Sequence, residues 1–112
     1  MGLPAVTLKE RLMLLLGRRR SIKVDGDSML PTLRSGDVVL VDPDANACVG
    51  DIVVVDHPYK QSVKLIKRVG SIDANGRYFL IGDDPDSSTD SRILGSIARS
   101  DVIGKVVSRF LN

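Results

Sequence analysis

Gly36-Asp37-Val38-Val39-Leu40-Val41 and Gly50-Asp51-Ile52-Val53-Val54-Val55 are two copies of one unit, a Gly-Asp turn that opens into an unbroken aliphatic run. Each run has strand length and does not alternate with polar residues, so each predicts a strand covered on both faces. Asp42-Pro43-Asp44-Ala45-Asn46 is the polar loop between them. Working outward, Ile22 to Val24 predicts a short strand before the pair. His57-Pro58-Tyr59 ends the second run, because proline has no amide hydrogen for a central ladder. Val63 to Val69 predicts the next strand, Asn75-Gly76 a hairpin turn, and Arg77 to Ile81 its return. Gly82 to Ser91 reads as a polar loop, and Val102 to Phe110 as a last strand broken at Gly104. At the start, Thr7 and Glu10 have the spacing of a capping box, and Leu8, Leu12, Leu15 and Leu16 recur at helical spacing up to a stop at Gly17. The expected class is mainly β and antiparallel, with one short N-terminal helix. Residues 1–20 are expected to form that helix and a basic linker, and residues 21–112 the β domain.

A chain of 112 residues predicts one domain with a modest core. Aromatics make up only 4%, so that core must be built from Val, Ile and Leu, which favour strands. The net charge of +2 does not call for nucleic acid, and no basic stripe is interleaved with aromatics. Cys48 is alone, which rules out an intrachain disulfide and, with one distant histidine, a zinc spacing. Neither metal nor cofactor is implied. No run reaches the roughly 20 apolar residues of a membrane span. Leu12 to Leu16 is too short for a usual signal-peptide core, and Val6 stands where myristoylation needs Ser or Thr. A cytoplasmic location is expected. Two readings stand for the helix and Arg18-Arg19-Arg20. In one, the helix docks on the domain and the arginines are solvated. In the other, residues 7–20 make a peripheral membrane contact, leucines entering the surface and arginines meeting anionic lipid.

The chemistry centres on a serine and a lysine. Ser28 lies in the turn Gly26-Asp27-Ser28-Met29-Leu30-Pro31. Gly26 permits close backbone approach and Pro31 fixes the chain just beyond. Such a turn can aim a hydroxyl outward and point the Ser28 backbone N–H at a developing oxyanion. A hydroxyl nucleophile needs a proton acceptor. The lone histidine, His57, does not look catalytic in its setting, but a buried lysine amine can serve. Alternation along Val63 to Val69 puts Val63, Leu65, Lys67 and Val69 on one side, and Lys64, Ile66 and Arg68 on the other. Burial among aliphatics disfavours the ammonium and lowers the amine from its ordinary value of about 10.4. The plainer alternatives are a turn serine and a strand lysine whose head reaches water. The acidic loop from Gly82 to Arg92 lacks the central glycine and final glutamate of a calcium loop. It reads either as a solvated loop or as one held by an Asp90–Arg92 pair that presents Ser88 to a buried group. Cys48 with His57 makes a poor dyad, since nothing around the cysteine is electropositive.

Taken together, these segments resemble the type I signal peptidase family. Val24 to Leu33 is similar to its nucleophile motif, Gly36-Asp37-Val38-Val39 and Gly50-Asp51-Ile52-Val53 to its two following strand motifs, Ile66-Lys67-Arg68-Val69-Gly70 to its general-base motif, and Gly82-Asp83-Asp84 through Asp90-Ser91-Arg92 to its last motif. The resemblance runs in order over residues 22–109. It implies a small barrel-like coiled β-sheet domain of the signal peptidase and LexA type, acting on a protein or peptide substrate. It also implies roles: Ser28 as nucleophile, Lys67 as general base, Ser88 orienting the amine, Asp90 and Arg92 holding the loop, and the Ser28 backbone N–H in the oxyanion hole. Some relatives carry a hydroxyl donor where Gly26 stands, and Asp84 stands where Asn is frequent. The family's usual transmembrane anchor has no counterpart here, and Gly70 to Ile81 is only a hairpin where larger members carry an extra β domain. This minimal form looks most like the nickel-type superoxide dismutase maturation proteases, which would make the substrate a dismutase precursor with an N-terminal leader. Two other functions stay open: a LexA-like domain that cleaves itself or a fused partner, and a non-enzymatic β binding module.

Overall fold

A computed structural model describes residues 2–87 and 89–111. The two Gly-Asp units form β2 (Val38–Asp42) and β3 (Ile52–Asp56). Around them lie β1 (Arg20–Lys23), β4 (Lys64–Ile72), β5 (Tyr78–Ile81) and β6 (Val102–Arg109). All pairings are antiparallel in the order β1-β2-β6-β3-β4-β5. The aliphatic runs are covered on both faces, as their composition requires. Val39, Val41, Ile52 and Val54 join Met29, Leu33 and Ile66 in one cluster. Val53 and Val55 join Val69, Tyr78, Leu80 and Ile97 in the other.

The two Gly-Asp turns are built alike. Gly36 and Gly50 have φ of 96° and 94°, which glycine adopts without strain. The following aspartate then accepts, on its carboxylate, the N–H three residues back: Arg34 to Asp37 at 2.9 Å and Cys48 to Asp51 at 2.8 Å. Each turn also brackets one residue of a distant segment. Gly36 N–H donates to Val24 C=O (2.8 Å), and Val24 N–H donates to Asp37 C=O (2.7 Å). Gly50 and Asp51 bond Val69 in the same way, both at 2.8 Å.

Two turns differ from the sequence expectation. Gly104 does not break the last strand but lies within β6. A Cβ there would meet the Asp42 carbonyl oxygen and Val41 Cγ1 at 2.6 Å, so the glycine lets β6 cross tightly against β2 beside a bulge between Leu40 and Val41. In the hairpin, Gly76 alone has positive φ, so the two-residue turn of the primed type does not form. Instead Asp73 Oδ1 accepts from Asn75 and Arg77 N–H, both at 2.9 Å, and closes a longer loop.

At the N-terminus α1 (Leu8–Leu15) forms, with Thr7 Oγ1 accepting Glu10 N–H at 3.2 Å. Only that half of the capping box is present, because the Glu10 carboxylate instead accepts from Arg19 Nε at 2.8 Å. Gly17, at φ 76°, ends the helix: its N–H reaches Leu14 C=O and the Arg18 N–H reaches Met13 C=O. Ahead of the helix, Pro4 and Val6 bond the backbone of Arg109. A second short helix, α2 (Ser91–Leu94), follows the acidic loop. Gly104→Ala should cost about 1–3 kcal/mol in urea unfolding, through overpacking against β2. Gly2→Ala, whose added methyl meets nothing within 4 Å, should change stability by less than about 0.5 kcal/mol.

Candidate active site

The Ser28 turn is pinned from below. Met29 and Leu33, each 1% exposed, plug into the first core cluster on the far side of the serine, and Leu33 N–H bonds Met29 C=O at 2.9 Å. Ser28 itself is half-buried. Its N–H donates to no group among the described residues, while its C=O accepts from Asp84 N–H at 2.9 Å. Gly26 has φ of 92°, and a Cβ there would meet nothing within 4 Å. The backbone conformation calls for glycine at this position, and none of the described residues approaches the face a Cβ would occupy. Gly26 N–H donates to Ser35 Oγ at 3.2 Å.

Lys67 lies opposite Val53 in the β3–β4 ladder, on the face of Val55, Leu65 and Val69, as strand alternation predicts. The other side is less polar than its composition implies, since Ile66 fills the first core cluster. Covered on both faces, β4 leaves Lys67 only 3% exposed. Burial pushes its amine below its ordinary value of 10.5; the Asp90 carboxylate draws it back up and the Arg92 guanidinium pushes it down again.

Ser28 and Lys67 line one cavity of about 460 Å3. Its walls come from β1 and the residues after it (Ile22, Lys23, Val24) and from the start of β4 (Leu65, Ile66). Three strands separate β1 from β4 in the sheet order, so the sheet coils until its first strand faces its fifth, leaving a cleft between them.

The acidic loop closes one end. Asp90 is 1% exposed and caps α2. Its carboxylate accepts Gly82 N–H (2.9 Å), Arg92 N–H (3.0 Å) and a two-pronged contact from Arg92 Nε and Nη2 (3.0 and 2.7 Å). The Asp90–Arg92 pair expected from the sequence is therefore formed. Ser88 lies outside the described residues. Sequence reasoning missed three further supports. Ser91 Oγ accepts Leu80 N–H at 2.8 Å and fastens the loop to β5. Arg68 clasps Asp83 with two bonds (2.8 and 2.7 Å) and bonds Gly50 C=O (2.7 Å). Thr32 Oγ1 donates to the same Asp83 at 2.5 Å. The Ser28 turn, the Lys67 strand and the acidic loop thus meet on one carboxylate, which Arg68 holds below the usual carboxylate range. The sequence signal for them was no more than the presence of Thr32, Gly50, Arg68, Asp83 and Ser91 in the quoted motifs. His57 has a local role: its Nδ1 accepts Tyr59 and Lys60 N–H at 3.0 and 3.1 Å.

Residues 9–107 match the model of the Peptidase S24-like family. The chain belongs to that family. Its six-stranded antiparallel sheet with one short N-terminal helix fits the family's signal peptidase and LexA type. The chain is also 32% identical, over 107 residues, to mitochondrial inner membrane protease subunit 1 of Xenopus tropicalis, covering 75% of this chain and 64% of the relative. It therefore spans just under two thirds of that relative's length.

Because the native amine of Lys67 lies below its ordinary value, the unfolded chain binds its proton more readily. Stability gains from this group as pH rises through the window between the lowered native value and 10.5. Lys67→Met should accordingly be more stable than the wild type at neutral pH, by an amount that shrinks as pH approaches 10.5. Denaturant midpoints measured across that range check the sign.

Proposed function

We propose that the chain is a serine endopeptidase with a Ser28/Lys67 dyad, which removes an N-terminal leader from a precursor protein. One observation carries the reading: a serine and a buried, deprotonation-prone lysine from distant segments line the same cleft. The substrate enters as an extended strand in the gap between β1 and β4, with its backbone meeting the strand edges. Ser28 Oγ attacks the scissile carbonyl carbon as the neutral Lys67 amine takes its proton. The oxyanion of the tetrahedral intermediate faces the Ser28 N–H, which has no acceptor among the described residues. As the C–N bond breaks, the Lys67 ammonium returns the proton to the leaving amine. Lys67 then takes a proton from water, whose oxygen attacks the acyl carbon, and returns it to Ser28 Oγ as the ester C–O bond breaks.

Asp90 and Arg92 act on this chemistry through charge. A bare carboxylate beside Lys67 would hold it as an ammonium; the two-pronged Arg92 contact offsets that pull. Ser88 is proposed to orient the amine and residues 21–112 to form the peptidase domain, with residues 1–20 appended. The favoured substrate is a nickel superoxide dismutase precursor, on the motif resemblance alone. The relative is named as an inner membrane protease subunit, which supports peptide-bond cleavage as the activity.

Incubating the chain with that precursor and reading the products by mass spectrometry tests the proposal. Ser28→Ala and Lys67→Met should each lower the cleavage rate at least about a thousandfold. Near-normal turnover by the lysine variant removes the mechanism. Cleavage within the chain's own sequence on raising pH assigns the LexA-like reading instead. Failure of serine-directed acylating reagents to label Ser28 assigns the binding module.

A further inference from the structure

The four leucines that mark α1 in the sequence do not pack on the domain. Leu8, Leu12, Leu15 and Leu16 are 84%, 53%, 83% and 63% exposed. At about 100° per residue they fall in one arc, with Lys9 at one margin and Arg11 at the other. The half-buried residues, Glu10, Met13 and Leu14, lie on the opposite side of the helix. That inner face is fixed to the domain: Arg19 holds Glu10 at 2.8 Å and reaches Asp42 at 3.5 Å. The three consecutive arginines therefore divide. Arg19 turns inward, and Arg18 and Arg20 are exposed. Glu10, the one acid between residues 7 and 20, is on the docked side, so the leucine face is bordered by cations only.

We propose that α1 lies flat on an anionic lipid surface. Leu8, Leu12, Leu15 and Leu16 enter the acyl boundary, and Lys9, Arg18 and Arg20 meet headgroup phosphates, while the Arg11 guanidinium lies 5.2 Å from the centre of the Phe110 ring. An apolar stripe rimmed by long cationic side chains has the chemistry of an interfacial helix, whose charged heads reach the phosphates while their stems line the apolar layer. A second copy on the same face would bring these cations against one another. No helix among the described residues is long and apolar enough to cross a membrane. The contact therefore lies along the surface. β1 begins at Arg20, and Ile22 and Lys23 line the cleft, so lipid binding would hold the cleft beside the headgroups. The proposal goes beyond the peptidase reading and stands without it.

Flotation of the full chain with vesicles of phosphatidylcholine alone, and of phosphatidylcholine with phosphatidylglycerol, tests it. The wild type should float with the anionic vesicles at least about tenfold more strongly than with the neutral ones at low salt. Leu12→Ser/Leu15→Ser should lose about tenfold or more of that partition, and Arg18→Gln/Arg20→Gln should lose the preference for anionic lipid. These side chains are solvent-facing, and an unchanged far-ultraviolet circular dichroism spectrum verifies that both variants stay folded. A wild type that stays with the protein fraction, or a leucine variant that floats as well as the wild type, overturns the proposal. So does a lipid-free dimer that the leucine variant abolishes, which would give the face to a second copy.

Discussion

Two backbone brackets hold the Ser28 turn and the Lys67 strand in place. In each, a glycine in the left-handed region and the aspartate after it grip both backbone groups of one valine from another segment. The first grips Val24, just before the Ser28 turn, and the second Val69, just beyond Lys67. Each aspartate also meets a cation from β6, Arg109 with Asp37 and Lys105 with Asp51. The same strand that separates β2 from β3 thus tethers both brackets. The brackets flank the cleft: Val24 follows the last residue of β1, and Val69 lies two residues beyond Lys67 within β4.

On that frame the lysine is a local conflict that the fold tolerates. An amine among Val53, Leu65 and Val69 is disfavoured as an ammonium, and a purely structural strand would place an aliphatic residue there. Asp90 gives back part of the lost solvation, and Arg92 limits how much. The two charges pull the amine in opposite directions, and burial, the largest influence, holds it below its ordinary value. Arg68, Asp83 and Thr32 serve a different end: they lock the positions of three segments and leave the charge of Lys67 alone.

Much of this was legible in the chain. Unbroken, β-branched runs of strand length after Gly-Asp point to strands covered on both sides, and alternation alone separated Lys67 from Lys64. What escaped the sequence depends on neighbours that no local pattern names. Gly104 looks like a breaker until Asp42 is placed against it. The Asp83 junction joins residues 51 positions apart in one bond and 15 in the next. The leucines of α1 announce an apolar stripe, yet their spacing cannot say whether it faces the domain. Glu10 decides that, by turning toward Arg19 and away from its own cap.

The proposed dyad has one physical requirement, an uncharged amine within reach of a hydroxyl. Titrating the Lys67 side chain by carbon-13 NMR, with the signal assigned through Lys67→Met, addresses that requirement directly. The account predicts a midpoint below 10.5. A Lys67 that titrates at or above 10.5, alongside the surface lysines, would contradict it.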